Sequence, residues 1–474
     1  MAADSLQTST RRLDRFLRLF ADVRAGEGRT AVLLSLNVFL LLTAYYVLKP
    51  VRDALVLAQG SAELRSYLSA GMVVVLAVVV PFYGRLASRV HRRRLINLVT
   101  AIFVACLVGF YVLARAGVQY GAAYFIWIGV FNMMIVAQFW GFANDLYSRD
   151  EGERLFPIVG FGASIGAVLG AVIAAWLIGP LGLEQLLLFG AGILVLQAAL
   201  TNYIDRLESA RRPEQRVTAP RSADEMQPAS EPRRTGAFGM VLGTPYLLMI
   251  GVVLLCLSLV NTTGEYILGS VVEDTARAAV AAGASGGLSV EEYIGQFYSR
   301  FYGVVNAAAV LVQLFLVSRI VKYLGVRVGL MLLPCLAFGA YNILAFFPVL
   351  TAVRWAKTAE NATDYSLNNT VRNMLFLPCT RDQKYGAKQV LDAFFVRVGD
   401  VLSAVLVFAG TTYFALGGSG FAKVNLAFVS VWLVVAFVVG REYARLTTAG
   451  LQPGPRLTGG TDLDAPTRSP AVAG

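Results

Sequence analysis

The sequence predicts an all-α membrane protein of twelve transmembrane helices arranged as two six-helix halves. Three observations predict it. About eleven stretches are apolar over the roughly 20 residues that a helix needs to cross a bilayer. A twelfth, from Arg354 to Arg372, is polar, but Arg354, Lys357, Asn361, Asp364, Asn368 and Arg372 recur at steps of three or four and so share one helix face. A proline- and charge-rich segment at about 205–240 then divides the spans six and six. Composition agrees. The 474 residues are 57% hydrophobic and 15% charged, with mean hydropathy +0.62, too little charge for a soluble protein of this size.

Residues 11–24 carry five arginines, with Leu13, Phe16, Phe20 and Val23 on one face, and read as a short interfacial helix rather than a cleavable signal. The spans follow at about 30–57, 66–88, 95–114, 120–146, 155–178, 183–204, 244–268, 293–318, 325–347, 350–376, 389–413 and 422–440. Pro50 should kink the first, which continues through Ala54–Ala58 to Gly60. In the fifth, Gly162, Gly166 and Gly170 form a row of small residues that lets another helix approach closely. The Ala- and Gly-rich segment 271–289 is expected to be an external loop, with Ser289 and Glu292 a capping box that opens the eighth span. The tail from 446 is Gly-, Thr- and Pro-rich and is expected to be disordered.

Net charge is +11, but the basic residues gather in alternate loops. That is the pattern of membrane topology, and it argues against a nucleic-acid partner. With arginines at Arg85–Arg94, Arg206–Arg234 and Arg441–Arg445 on one side, the positive-inside rule places both termini in the cytoplasm. Cys106, Cys256, Cys335 and Cys379 lack metal-ligand or redox spacing, and His91 is the only histidine. No nucleotide-hydrolysis, dinucleotide or Ser/His/Asp motif is present, so we expect neither an enzyme nor a metal or cofactor site, and a monomer in lipid.

The halves echo each other. Ala143-Asn144-Asp145 leading to Leu155-Phe156-Pro157 has a counterpart in Ala362-Thr363-Asp364 leading to Leu375-Phe376-Leu377-Pro378. Two six-helix halves in a parallel repeat are the layout of the major facilitator transporters.

Polar residues inside spans are costly and mark a wet pathway. On span one, Tyr45, Lys49 and Arg52 share a face with Asp53 beside them; two cations a turn apart suit polyanionic oxygens, unless they snorkel to an interface. Span seven presents Ser258, Asn261 and Glu265 at one-turn spacing, and Glu265 is expected to pair with a cation or to exchange a proton. Span four offers Gln138, Asn144 and Asp145, with Phe139, Trp140 and Phe142 as either base-stacking or packing rings. Span ten carries the stripe with Glu360 beside it, where Lys357 can reach Glu360 or Asn361. Span eleven holds Asp392, Arg397 and Asp400 after Lys388, with Arg397 and Asp400 able to pair along the helix.

These residues resemble a known family. Phe139-Trp140-Gly141-Phe142-Ala143-Asn144 with Asp150-Glu151-Gly152-Glu153-Arg154-Leu155-Phe156-Pro157 resembles the span four to five signature of the ATP/ADP translocases, nucleotide exchangers of plastids and intracellular bacteria. Val47-Leu48-Lys49-Pro50-Val51-Arg52-Asp53 resembles that family's first-span motif, Asn261 and Glu265 its seventh span, and Asp364 to Arg372 with Lys384, Lys388, Asp392 and Arg397 its tenth and eleventh. The chain departs from it at Arg372-Asn373, at Asp400 and at Gly152-Glu153, losing bases and gaining acids, which weakens the case for a triphosphate cargo and marks a divergent bacterial branch.

The resemblance implies a secondary transporter exchanging nucleotides or similar phosphorylated anions. Lys49, Arg52, Asn144, Glu265, Lys357, Asp364, Arg372 and Lys388 would bind cargo, with Asp53, Asp145, Asp392, Arg397 and Asp400 as gating or ion-pair partners. The alternatives are a proton-coupled transporter of another solute, with Glu265, Asp145 or Asp400 titrating, and a non-transporting sensor or assembly factor.

Overall fold

A bilayer offers no water to the backbone, so an apolar chain must satisfy its own N–H and C=O groups, and helices do so within one segment. The computed structural model describes residues 23–24, 27–90, 92–147, 149–211, 237–380 and 383–454, and these are helical almost throughout. The helices are α1 (Gly28–Gln59), α2 (Ala62–Arg89), α3 (Arg92–Arg115), α4 (Gly121–Leu146), α5 (Arg149–Arg211), α6 (Ala237–Gly243) and α7 (Pro245–Ala281). They continue as α8 (Val290–Val312), α9 (Ser318–Phe346), α10 (Leu350–Thr363), α11 (Asn369–Met374), α12 (Lys388–Val390), α13 (Val396–Thr412) and α14 (Gly418–Ala449).

Among the described residues, 9 helical runs are long and apolar enough to cross a membrane. Two of them are double. The run Arg154–Ser209 has 56 residues, so a straight helix would be about 84 Å long against a hydrocarbon core of about 30 Å. It breaks at Gly182, where φ is 79° and ψ 173°, a backbone conformation open to glycine. The run Val290–Phe346 breaks likewise at Gly325. With the polar α10–α11, the twelve expected spans are all present as helix.

Several boundaries differ from expectation. The segment 271–289 is not a loop throughout: α7 continues to Ala281, because its Ala276, Ala278, Ala279 and Ala281 favour helix, and the turn is confined to the glycines beyond. Helix α14 runs on to Ala449 and is closed by Gly450 at φ 63°, and Gln383 donates to the carbonyl of Pro453, so the ordered chain extends past 446. Helix α5 likewise reaches Arg211; the rest of the expected linker up to 236, most of 11–24, His91 and the tail from 455 lie outside the described residues. The capping box is formed: Ser289 N donates to Glu292 Oε2 at 2.9 Å, and Glu292 N to Ser289 Oγ at 3.2 Å.

Among the described residues, four π-helical turns interrupt the later helices, at Gln313–Val317, Asp364–Asn368, Gln383–Ala387 and Leu391–Phe395. Such turns insert an extra residue and re-aim the side chains that follow. Asp364 and Asp392 each sit on one.

Contacts divide the chain into two compact units. Unit 1 is Met1–Ser61, Met72–Ala223 and Ala276–Asn306; unit 2 is Ala62–Gly71, Asp224–Thr275 and Ala307–Gly474. Within unit 1, the glycine row on α5 lies against α1. Cβ atoms built on Gly162 and Gly166 would run into the carbonyl oxygens of Ser35 and Phe39, and one on Gly170 would lie 2.6 Å from that of Thr43. Gly166→Ala should therefore force the backbones apart and cost about 1–3 kcal/mol. The Tm of the purified protein checks it, with Gly160→Ala, where a Cβ meets nothing within 4 Å, as the neutral control. The start of α1 is pinned to α5 by Arg154, which donates to both Glu27 oxygens at 2.9 Å. These bonds hold the Glu27 carboxyl below its ordinary range.

Candidate functional site

In unit 1 the polar residues of α1 meet as their spacing implies. Lys49 is 8% exposed and Asp53 is fully buried. The Arg52 guanidinium folds back along its own helix onto Asp53, Nη2 lying 2.9 Å from Oδ1 and 3.0 Å from Oδ2. A second helix completes the group. Tyr302 of α8 donates its hydroxyl to Asp53 Oδ2 at 2.8 Å and accepts from Arg52 Nη2 at 3.3 Å.

Rings surround the cations. Lys49 Nζ stands 3.9 Å from the Tyr302 ring centre, 5.2 Å from Tyr46 and 5.9 Å from Tyr45, and Arg52 lies 5.1 Å over Phe125. Aromatic faces stabilise a cation without carrying a formal negative charge. Lys49, Arg52 and Asp53 contribute two cations and one carboxylate to the group. Snorkelling to an interface does not describe them, since Lys49 and Asp53 are buried and α1 continues beyond them to Gln59.

Unit 2 holds a second network, and its charges balance. Glu265 on α7 accepts from Arg65 Nη2 of α2 at 3.0 Å and from Asn361 at 3.2 Å, with Lys357 Nζ 3.7 Å away. Lys357, 1% exposed, donates to Asn261 Oδ1 at 2.8 Å and to Glu360 Oε2 at 3.1 Å. Tyr341 of α9 closes the group, its hydroxyl 3.4 Å from Glu360. Gly264 makes the space, since a Cβ there would collide with the Tyr341 hydroxyl and lie 3.1 Å from Lys357 Nζ. A neighbouring cluster has Asp400 accepting from Ser258 at 2.6 Å, Thr262 at 2.9 Å and Arg397 at 3.1 Å.

The remaining expected residues lie elsewhere, except that Asp364 is close enough to Lys357 and Glu360 for their charges to interact. Asn144 and Asp145 are exposed at the end of α4, and Phe139 and Phe142 beside them are core residues. Asp364 accepts from Asn368 of its own π turn at 2.7 Å. Arg372 is half-buried on α11, Lys388 donates to Asn373 at 2.7 Å, and Asp392 is exposed.

Sequence reasoning passed over Arg65, Tyr302, Tyr46, Phe125, Tyr341 and Thr262. Two signals were readable. Arg65 stands at the start of an apolar run, apart from the arginine clusters of the basic loops, and Tyr298 and Tyr302 stand one turn apart among Phe297 and Phe301 on α8.

Comparison with known proteins bears on this architecture. The family model for the Major Facilitator Superfamily matches residues 32–375. The chain belongs to the Major Facilitator Superfamily. It is accordingly a multi-pass integral membrane protein and a secondary transporter, not an enzyme.

Among curated relatives it is 22% identical to ADP,ATP carrier protein 2 of Chlamydia trachomatis serovar D, over 94% of each chain. It is 22% identical to ADP,ATP carrier protein 1 of Chlamydia pneumoniae, over 64% of each, so it spans slightly less than two thirds of that protein's length. Solved structures of similar fold include a bacterial homologue of the iron transporter ferroportin, with TM-score 0.60, 12% identity, and coverage of 88% of this chain and 98% of that one. A variant of the nucleoside transporter NupG gives TM-score 0.59 and 12% identity, covering 88% and 99%. At such identities these structures speak to the Major Facilitator fold alone.

Proposed function

We propose that this Major Facilitator protein exchanges phosphorylated anions, with nucleotides of the ADP and ATP kind as the leading class, by alternating access. The observation that carries the reading is the α1 group. Lys49 and Arg52 lie one turn apart amid apolar sequence, with a carboxylate, Asp53, that Arg52 can exchange for phosphate oxygens. The names of the chlamydial relatives, ADP,ATP carrier proteins, support the nucleotide class.

Arg52 would grip two oxygens and Lys49 a third, and Arg372 and Lys388, both incompletely buried, are further candidates along the pathway. The network of Arg65, Glu265, Lys357 and Glu360 is already neutral, and we assign it to setting the resting state before cargo. The basic loops support an inner-membrane setting with both termini cytoplasmic, and a monomer suffices for the mechanism.

Purified protein titrated with ADP, adenosine and inorganic phosphate tests the reading. ADP should bind and adenosine should not, with the ADP affinity falling as salt rises. Equal binding of ADP and adenosine would remove the phosphate from recognition and overturn the assignment.

A further inference from the structure

Tyr302 touches every charged member of the α1 group. Its hydroxyl is 2.8 Å from Asp53 Oδ2 and 3.3 Å from Arg52 Nη2, and its ring is 3.9 Å from Lys49 Nζ. It belongs to a helix far away in the sequence, and that helix does not stay within one unit. Unit 1 ends at Asn306, and the same α8 continues from Ala307 as part of unit 2. Tyr302 therefore joins the α1 group to a second helix, α8.

Unit 2 contains a matching arrangement. Its stretch Ala62–Gly71 is the start of α2, which continues from Met72 in unit 1. From that stretch Arg65 reaches Glu265 on α7 at 3.0 Å. In each unit, then, a helix distant in the sequence supplies one polar side chain to a carboxylate.

We infer that Tyr302 is a positioning residue that couples anion occupancy at Lys49 and Arg52 to movement of α8; the inference rests on the exchange reading above. When an anion takes Arg52, the guanidinium gives up its bonds to Asp53. Asp53 is fully buried and cannot turn to bulk water. Arg52 gives up its bond to the Tyr302 hydroxyl at the same time, and the anion on Lys49 weakens the pull of the ammonium on the Tyr302 ring, so two of the three charged contacts on Tyr302 are released. Occupancy thus shifts the balance of contacts that hold α8. In the empty state all three contacts stand and α8 is latched, which makes reorientation without cargo slow and the transport an exchange.

Tyr302→Phe tests this, because it keeps the ring and removes the hydroxyl. In liposomes loaded with labelled ADP, efflux is measured with and without external ADP. The variant should raise efflux into nucleotide-free buffer roughly tenfold relative to exchange, the equivalent of losing one hydrogen bond to a charged group. A purely structural role would lower both fluxes together. An unchanged ratio of exchange to leak overturns the inference.

A second readout is independent of cargo. Amide hydrogen exchange over residues 290–306 of the cargo-free protein should be faster in Tyr302→Phe than in the native chain, and equal rates overturn the latch. If native protein exchanges no nucleotide, the exchange reading fails on its own, and the hydrogen-exchange comparison still decides whether Tyr302 holds α8.

Discussion

Arg52→Ala should reduce anion exchange at least a hundredfold. The guanidinium is the forked donor of the α1 group, and the hydrogen bonds it would offer phosphate oxygens are of the charge-assisted kind. Two effects overlap in that variant, because removing Arg52 also strips the buried Asp53 of its cation. Breaking a buried pair in this way costs about 3–5 kcal/mol of stability. They separate in the double variant Arg52→Ala with Asp53→Asn. It removes both charges together and should recover folded protein in the membrane without recovering exchange. Arg52→Lys keeps the charge but loses the fork, and should fall between the two. Exchange that survives in the double variant at native rate would mean that Arg52 serves the fold and not the cargo.

Lys357→Met should be the most damaging single change to stability in unit 2. The methionine approximates the shape of the lysine stem, but Glu265 and Glu360 would face each other with Arg65 alone to balance them. At 1% exposure for Lys357 and 3% for the Glu360 side chain, water cannot compensate, and the loss should be about 3–5 kcal/mol. Adding Glu360→Gln removes one of the two negative charges and should restore much of the Tm. Non-additivity of the pair, measured as a double-mutant cycle, is the sign that Lys357 and Glu360 act as a unit. Additive effects would contradict the network.

Local periodicity made much of this legible. The spacing of Lys49 and Arg52, the stripe from Lys357 to Asn361, the glycine row on α5 and the capping box at Ser289 each state which residues share a face or a turn, and the structure has them so. What periodicity cannot state is which face meets which. Arg65 lies 200 residues from Glu265 and Tyr302 lies 249 from Asp53, and only tertiary packing joins them. The charge of Glu265 implied a cationic partner, but many basic residues were available and Arg65 stood apart from their clusters. The π turns were equally invisible, since an extra residue in a turn leaves no compositional mark. Asp364 and Asp392, placed by even helical spacing in the sequence, lie on such turns, and Asp364 bears on Lys357 and Glu360 through its charge rather than through a hydrogen bond. The Ala-rich end of α7 shows the opposite error: its small residues read as loop, while their helix propensity extends the span.

Uptake of labelled ATP into liposomes containing the purified protein, loaded with ADP or left empty, tests the central claim most directly. Uptake confined to ADP-loaded vesicles, and lost in the double variant Arg52→Ala with Asp53→Asn, is the result expected if the α1 cations hold a phosphorylated cargo through obligatory exchange. Equal uptake into loaded and empty vesicles, or none by folded and inserted protein, would contradict it.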